Sequence, residues 1–247
     1  MRLDGRVVLV TGASSGIGTA VAERCLAEGA TVVATGRRVG ALEGVGGSSD
    51  RVERIAGDLC DTGFPERLAA IAIERFGRLD GLVHAAGTVK RNEDIRATTD
   101  DELRAFVDAN LTSTIRLARA VYATMADHGG GSMVLVGSQL AHIAVPGYAS
   151  YCAVKGGVTM LARALAVDGG PLGIRVNVLA PGVVRTPMAY IDRPNFDELE
   201  AAIAERHPLR RIGEPSDIAG PAVFLLSDDA AWMTGQTMIV DGGFTAQ

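Results

Sequence analysis

Tyr151 and Lys155 stand four residues apart in Tyr151-Cys152-Ala153-Val154-Lys155. On a helix that spacing puts both side chains on one face. A phenol held near an ammonium gives up its proton more readily than free tyrosine, whose pKa is about 10. Such a pair suits proton exchange with a carbonyl oxygen that becomes an alkoxide. Pairs at this spacing are also common on solvated helix faces, so the pair gains meaning only from what accompanies it. Three features do. Thr11-Gly12-Ala13-Ser14-Ser15-Gly16-Ile17-Gly18 follows an apolar run, Ser138 closes the run Met133–Gly137, and Asn110 lies within Phe106–Leu111.

The elements that must position these residues follow from the apolar pattern. Strands are expected at about 6–10, 31–35, 52–56, 80–84, 132–137, 174–179 and 236–240, and helices at about 16–28, 63–76, 100–126, 150–167 and 216–226. Alternating strands and helices imply a parallel sheet covered on both faces, an α/β fold of doubly wound (Rossmann) topology with about seven strands. Strand, glycine turn and helix together would set a pyrophosphate against free N–H groups at a helix N-terminus. The spacing Gly-x-x-x-Gly-x-Gly differs from the usual dinucleotide fingerprint, and no Lys-Ser/Thr follows to make a Walker loop. Gly44–Ser49 reads as a flexible surface turn after a short second helix.

Together these residues resemble the short-chain dehydrogenase/reductase family, and its 3-oxoacyl carrier-protein reductases are similar across this length. The resemblance is carried by Thr11-Gly12-x-x-x-Gly16-x-Gly18, Asn110, Ser138, Tyr151-x-x-x-Lys155 and Pro181-Gly182-Val183-Val184-Arg185-Thr186, collinear from about residue 5 to 243. It implies an NAD(P)-dependent oxidoreductase that interconverts a ketone, or a 3-oxoacyl group, and a secondary alcohol. The implied catalytic residues are Asn110, Ser138, Tyr151 and Lys155. Ser138 and Tyr151 would hold the substrate oxygen, and Tyr151 would carry the proton. Lys155 would lower the tyrosine pKa and bind the nicotinamide ribose, and Asn110 would position a water that links Lys155 to solvent. The implied cofactor contacts are Gly12, Ser14, Ser15, Gly16, Ile17, Gly18, Arg37, Arg38, Asp58, Leu59, Ala86, Gly87, Tyr151, Lys155, Pro181, Gly182, Val184 and Thr186. His84-Ala85-Ala86-Gly87 stands where the family more often has Asn-Asn-Ala-Gly, and His84 is expected to be a packed strand-end residue.

Cofactor choice turns on Gly36-Arg37-Arg38, at the end of the second strand. An acidic residue there would accept from the ribose 2′-hydroxyl of NAD. Glycine removes that carboxylate, and arginine offers a fork to a 2′-phosphate, so NADP(H) is expected in preference to NAD(H).

The chain has 247 residues, 47% of them apolar, which is enough for one domain spanning 1–247. A net charge of −5 and a pI near 5.4 argue against nucleic acid or an anionic membrane as partner. Cys25, Cys60 and Cys152 form no Cys-x-x-Cys pair, and the four histidines have no metal-ligand spacing with them, so a cytoplasmic protein with no metal site is expected. Residues 187–213 break the strand–helix rhythm and read as a substrate lid. Ser138, Leu140, Val145, Tyr148, Val183 and Met188 are the candidate substrate contacts, and Arg185, Arg210 and Arg211 are candidates for meeting an acidic carrier. A non-catalytic NADP-sensing protein is the competing reading, although every catalytic position is filled. An epimerase of the extended family would need a longer chain beyond residue 180. The helices at about 100–126 and 150–167 spread apolar residues over more than one stripe (Leu111, Ile115, Leu117, Ala118, Val121, Tyr122) and so need a second partner, which the resemblance implies is the same helix pair of another subunit. With Thr237–Phe244 as a second surface, a homotetramer is expected.

Overall fold

Strand β1 (Val7–Thr11) is buried at every position. Side chains alternate between the two faces of a strand, so such a run has to be covered on both sides. Val8 and Val10 join one apolar cluster, Val7 and Leu9 the other. The computed structural model describes all 247 residues except Asn92, Glu93 and Pro194, and the side chain of Asp192. Strands β2 (Thr31–Gly36), β3 (Val52–Ala56), β4 (Gly81–His84), β5 (Gly131–Val136), β6 (Ile174–Pro181) and β7 (Thr237–Val240) complete a parallel sheet in the order β3-β2-β1-β4-β5-β6-β7. This is the expected doubly wound sheet, with strand ends within two residues of those read from the sequence.

Helix α1 (Gly16–Ala27) and helix α9 (Pro215–Leu226) cover one face of the sheet. Helices α3 (Phe64–Phe76), α5 (Ser113–Asp127) and α6 (Ala149–Gly169) cover the other. Strand order reverses between β1 and β4, and open sheets of this kind leave a crevice at the carboxyl ends of the strands where that happens. Helix α2 (Val39–Glu43) is the short second helix. The turn after it is better packed than its glycines suggest, because Val45 is fully buried in the core.

One element departs from its expected form. The stretch read as a single helix over 100–126 is α4 (Asp100–Val107), one π turn (Asp108–Thr112) and α5. The start of α4 is legible, since Thr99 and Glu102 cap each other reciprocally. The π turn has no proline or glycine to announce it, and it carries Asn110. Such bulges recur at functional sites. Residues beyond β6 form α7 (Pro187–Asp192) and α8 (Phe196–Glu205), and the segment closes back on the sheet through a parallel bridge between Val184 and Gly213.

Candidate active site

The glycine loop passes from the end of β1 into α1. Gly12 has φ +70°, and a Cβ there would stand 2.8 Å from the backbone nitrogen of Ala86, on the loop after β4. A side chain at Gly18 would run into the Gly12 carbonyl, so α1 can approach the strand end only as glycine permits. Ser15 is the N-cap residue, with extended backbone, and its side chain makes no capping bond. The first-turn N–H groups of α1 therefore face a cleft of about 560 Å³ without a side-chain cap. Of the residues expected to contact a cofactor, Gly12, Ser14, Ser15, Gly16, Ile17, Gly18, Arg37, Arg38, Asp58, Leu59, Ala86, Gly87 and Thr186 line that cleft. Thr35, Cys60, Thr88 and Ser113 also line it and were not foreseen.

At the far end of β2, Arg38 donates to the carbonyl of Ser14 at 3.0 Å. Arg37 is 77% exposed and lies 4.0 Å from the carboxylate of Asp58. Asp58 in turn accepts from the backbone N–H of Cys60 at 2.9 Å. A Cβ on Gly36 would stand 2.8 Å from Ser14 Oγ, so this glycine gives room to the glycine loop as well as removing a carboxylate.

A second pocket of about 190 Å³ adjoins the cleft, and Ile17, Ala85, Gly87 and Thr186 are among the residues common to both. Pro181, Gly182 and Val184, expected among the cofactor contacts, line this pocket rather than the cleft, as do Tyr151 and Lys155. Ser138, Leu140, Val145, Tyr148, Val183 and Met188, the candidate substrate contacts, are all in its wall. Gln139 and Phe244 are there too and were not foreseen, and Arg193, Phe196 and Arg206 join them from the expected lid segment. Phe244 comes from the C-terminal turn, whose backbone N–H groups of Gly243 and Thr245 donate to Asp241. Its ring packs under the Arg206 guanidinium at 4.9 Å. It belongs to the pocket wall.

Ser138 is at the end of β5, and its Oγ accepts from the Leu140 N–H at 3.1 Å. That bond uses an oxygen lone pair and leaves the hydroxyl hydrogen for another acceptor. Tyr151 and Lys155 both project from α6 and are buried. The Lys155 ammonium lies 5.8 Å from the centre of the Tyr151 ring and donates to the Val136 carbonyl at 2.9 Å. Burial pushes the Lys155 pKa down to about 8.

Asn110 is buried in the π turn. Its Oδ1 accepts from the Thr88 N–H at 2.9 Å, and its Nδ2 donates to the Phe106 carbonyl at 3.0 Å. A Cβ on Gly87 would stand 3.1 Å from Asn110 Oδ1 and 3.8 Å from Lys155 Nζ, so this glycine keeps open the space between the two. His84 is the packed strand-end residue it was expected to be. It bridges Thr11 at 2.7 Å and Thr114 at 2.8 Å, and burial, together with the Lys155 charge, pushes its pKa down to about 3.

The glycine loop, Asn110, Ser138 and the Tyr151–Lys155 pair come from four separate stretches of chain to the surroundings of one crevice. A family model described as Enoyl-(Acyl carrier protein) reductase matches residues 12–245. The chain belongs to the short-chain dehydrogenase/reductase family. It is 36% identical over 250 residues to D-threitol dehydrogenase of Mycolicibacterium smegmatis, covering 99% of this chain and 94% of that one. It is 35% identical over 242 residues to a 3-oxoacyl-(acyl-carrier-protein) reductase of Haemophilus influenzae, covering 98% of each. The solved structure of aldohexose dehydrogenase from Thermoplasma acidophilum superposes with a TM-score of 0.89 at 28% identity, over 99% of this chain and 96% of that one. The short-chain dehydrogenase/reductase is thus an oxidoreductase. Among its described residues, no helix is long and apolar enough to cross a membrane.

The basic residues considered for an acidic carrier are mostly engaged within the chain. Arg185 pairs with Glu200, and with Glu214 at 3.0 Å. Arg211 pairs with Asp217. Arg210, donating to the Glu205 carbonyl from a left-handed backbone, is the one of the three with no carboxylate partner among the described residues.

Proposed function

We propose that this enzyme interconverts a small ketone and its secondary alcohol with NADP(H), using Tyr151 as acid and base. The observation that carries this reading is the convergence of Ser138, Tyr151 and Lys155 on one pocket that opens into the glycine-loop cleft. The cleft fits a dinucleotide: its glycines leave no Cβ to fill it, and an uncapped helix N-terminus suits a pyrophosphate. Gly12, Ser14, Ser15, Gly16, Ile17 and Gly18 would hold the phosphates, and Asp58 and Leu59 the adenine. Arg37 and Arg38 would meet a 2′-phosphate, and Thr186 the carboxamide. When bound, such a cofactor gives or takes a hydride at the substrate carbon.

The protein's own part is proton management and positioning. Ser138, its hydroxyl hydrogen unused, donates to the substrate oxygen and orients it. Tyr151 delivers a proton to that oxygen as it gains negative charge, and takes one in the reverse direction. The Lys155 ammonium beside the phenol favours the tyrosinate that results. Asn110 Oδ1 and Lys155 Nζ flank the space kept open by Gly87, where a water would resupply the proton. Residues 187–213 serve as a lid: Arg193 donates to the Tyr148 hydroxyl at 3.1 Å and so ties the lid to the pocket wall.

The internal pairing of Arg185 and Arg211 supports a free small substrate over one delivered on an acidic carrier. The test is absorbance of NADPH and NADH during incubation with a panel of ketones. Ketone-dependent oxidation of NADPH is the expected result. Oxidation of neither cofactor with any ketone would refute it.

A further inference from the structure

Gln139 follows Ser138 directly and opens a short 3-10 turn, Gln139–Ala141. It is 5% exposed and lines the same pocket as Ser138, Tyr151 and Lys155. Its Oε1 is fully enclosed and has no hydrogen-bond partner among the described residues. Leaving a buried polar atom unmatched costs about 1–3 kcal/mol. Other buried amides in this protein avoid that cost. Asn177 donates to the Met233 carbonyl at 2.8 Å and accepts from the Gln236 N–H at 3.0 Å, and both ends of Asn110 are likewise bonded.

The room for this amide is built in. A Cβ on Gly182 would stand 3.0 Å from Gln139 Oε1. A half-turn about the last side-chain bond exchanges the amide oxygen and nitrogen without changing the shape of the group. The position can therefore present an acceptor or a donor to an occupant of the pocket. A hydroxyl, which both donates and accepts, satisfies either orientation. Consecutive Cα atoms are about 3.8 Å apart, so a group met by Gln139 lies close to the oxygen met by Ser138.

We propose that Gln139 reads a second oxygen of the substrate, a hydroxyl on the carbon next to the reacting one. The substrate class is then α-hydroxyketones and the corresponding vicinal diols. This rests on the ketone–alcohol reading above and narrows it. A substrate lacking that hydroxyl would leave the amide unmatched in the bound state, and sites built to hydrogen-bond a hydroxyl reject analogues that lack it.

The test compares kcat/KM for hydroxyacetone, methoxyacetone and acetone in the unmodified enzyme and in Gln139→Met. Methoxyacetone keeps an acceptor that the turned amide can still meet with its N–H, whereas acetone has no second oxygen. The unmodified enzyme is expected to favour hydroxyacetone over acetone by about ten- to a hundredfold. Gln139→Met should bring that ratio down to what the carbonyl's own reactivity gives, within a few fold of unity, the hydrogen bond having been removed. Gln139→Leu serves as a second variant, and if neither variant folds, the ratio in the unmodified enzyme decides. A ratio near unity in the unmodified enzyme would overturn the inference and leave ketone reduction standing. So would a large ratio that survives in either variant. Failure of the unmodified enzyme to reduce any ketone of the wider panel would overturn both readings.

Discussion

The ammonium of Lys155 sits 5.8 Å from the ring centre of Tyr151 in a buried setting, and its pKa is pushed down to about 8 by that burial alone. A charge placed there is held at the expense of the fold. A lysine of ordinary pKa near 10.4 that folds into a site of pKa about 8 carries a penalty of about 3 kcal/mol at neutral pH. The bond to Val136 returns about 1 kcal/mol of that. Lys155→Met is therefore expected to melt a few degrees higher than the unmodified protein at pH 7 without cofactor, while turnover collapses. The folded site loses its proton before the unfolded chain does, so the penalty fades as pH rises from about 8 to about 10.4, and the advantage of the variant should fade with it. Calorimetry at pH 7 and pH 10 checks this, and a Lys155→Met protein that melts lower at pH 7 would contradict it.

His84 gives the acid limb of stability. The folded protein holds it neutral down to about pH 3, whereas the unfolded chain protonates it near pH 6.5. Between those values the unfolded state binds more protons, so stability is lost as pH falls from about 6.5 towards 3, by as much as about 1.4 kcal/mol per pH unit. Replacing His84 with Gln, which can still bridge Thr11 and Thr114, should flatten the melting temperature against pH in this window. Identical profiles for the two proteins would count against a buried neutral histidine.

Cofactor preference is best tested at Arg37, not at Gly36, because a side chain at 36 meets Ser14 and disturbs the loop itself. Arg38 also braces Ser14. Arg37 is exposed and carries only a long contact to Asp58. Arg37→Ala should raise KM for NADPH by about ten- to a hundredfold, the loss of one charged hydrogen bond. KM for NADH should change little. Equal effects on both cofactors would remove Arg37 from 2′-phosphate recognition.

How much of this was legible in the sequence follows the range of each interaction. The strands showed themselves because β-branched runs such as Val7–Val10 need no partner to be recognised. The glycine loop and the Tyr151–Lys155 pair are also local patterns. The break in the 100–126 helix was hidden, since Asp108-Ala109-Asn110-Leu111-Thr112 contains no helix breaker and its π turn is held by tertiary packing. Phe244 entered the pocket through a turn organised by Asp241, and Gln139 stood out only once burial and missing partners could be read, neither of which a local pattern encodes.

Assembly is the expectation the fold modifies most. Leu117, Ala118 and Val121 are buried in the protein's own core, while Leu111 and Tyr122 pack partly against it. Exposed apolar residues remain at Ile115 on α5, at Met160 and Val167 on α6, and near the β7 edge at Trp232 and Ile239. Two such surfaces support a homotetramer of the 25.6 kDa chain. Light scattering at micromolar concentration should give four times that mass, and a monomer would refute both surfaces. Ile115→Glu together with Met160→Glu should reduce the mass by half.

The central claim is that the Tyr151 hydroxyl supplies the proton for ketone reduction. Tyr151→Phe removes that hydroxyl and keeps the ring that packs against Phe106 and Tyr148. Its steady-state NADPH oxidation with the best ketone of the panel is the most direct measurement. Its kcat is expected to fall about a hundred- to ten-thousandfold, with the Kd for NADPH within a few fold of the unmodified enzyme. Turnover by Tyr151→Phe at the unmodified rate would contradict that claim.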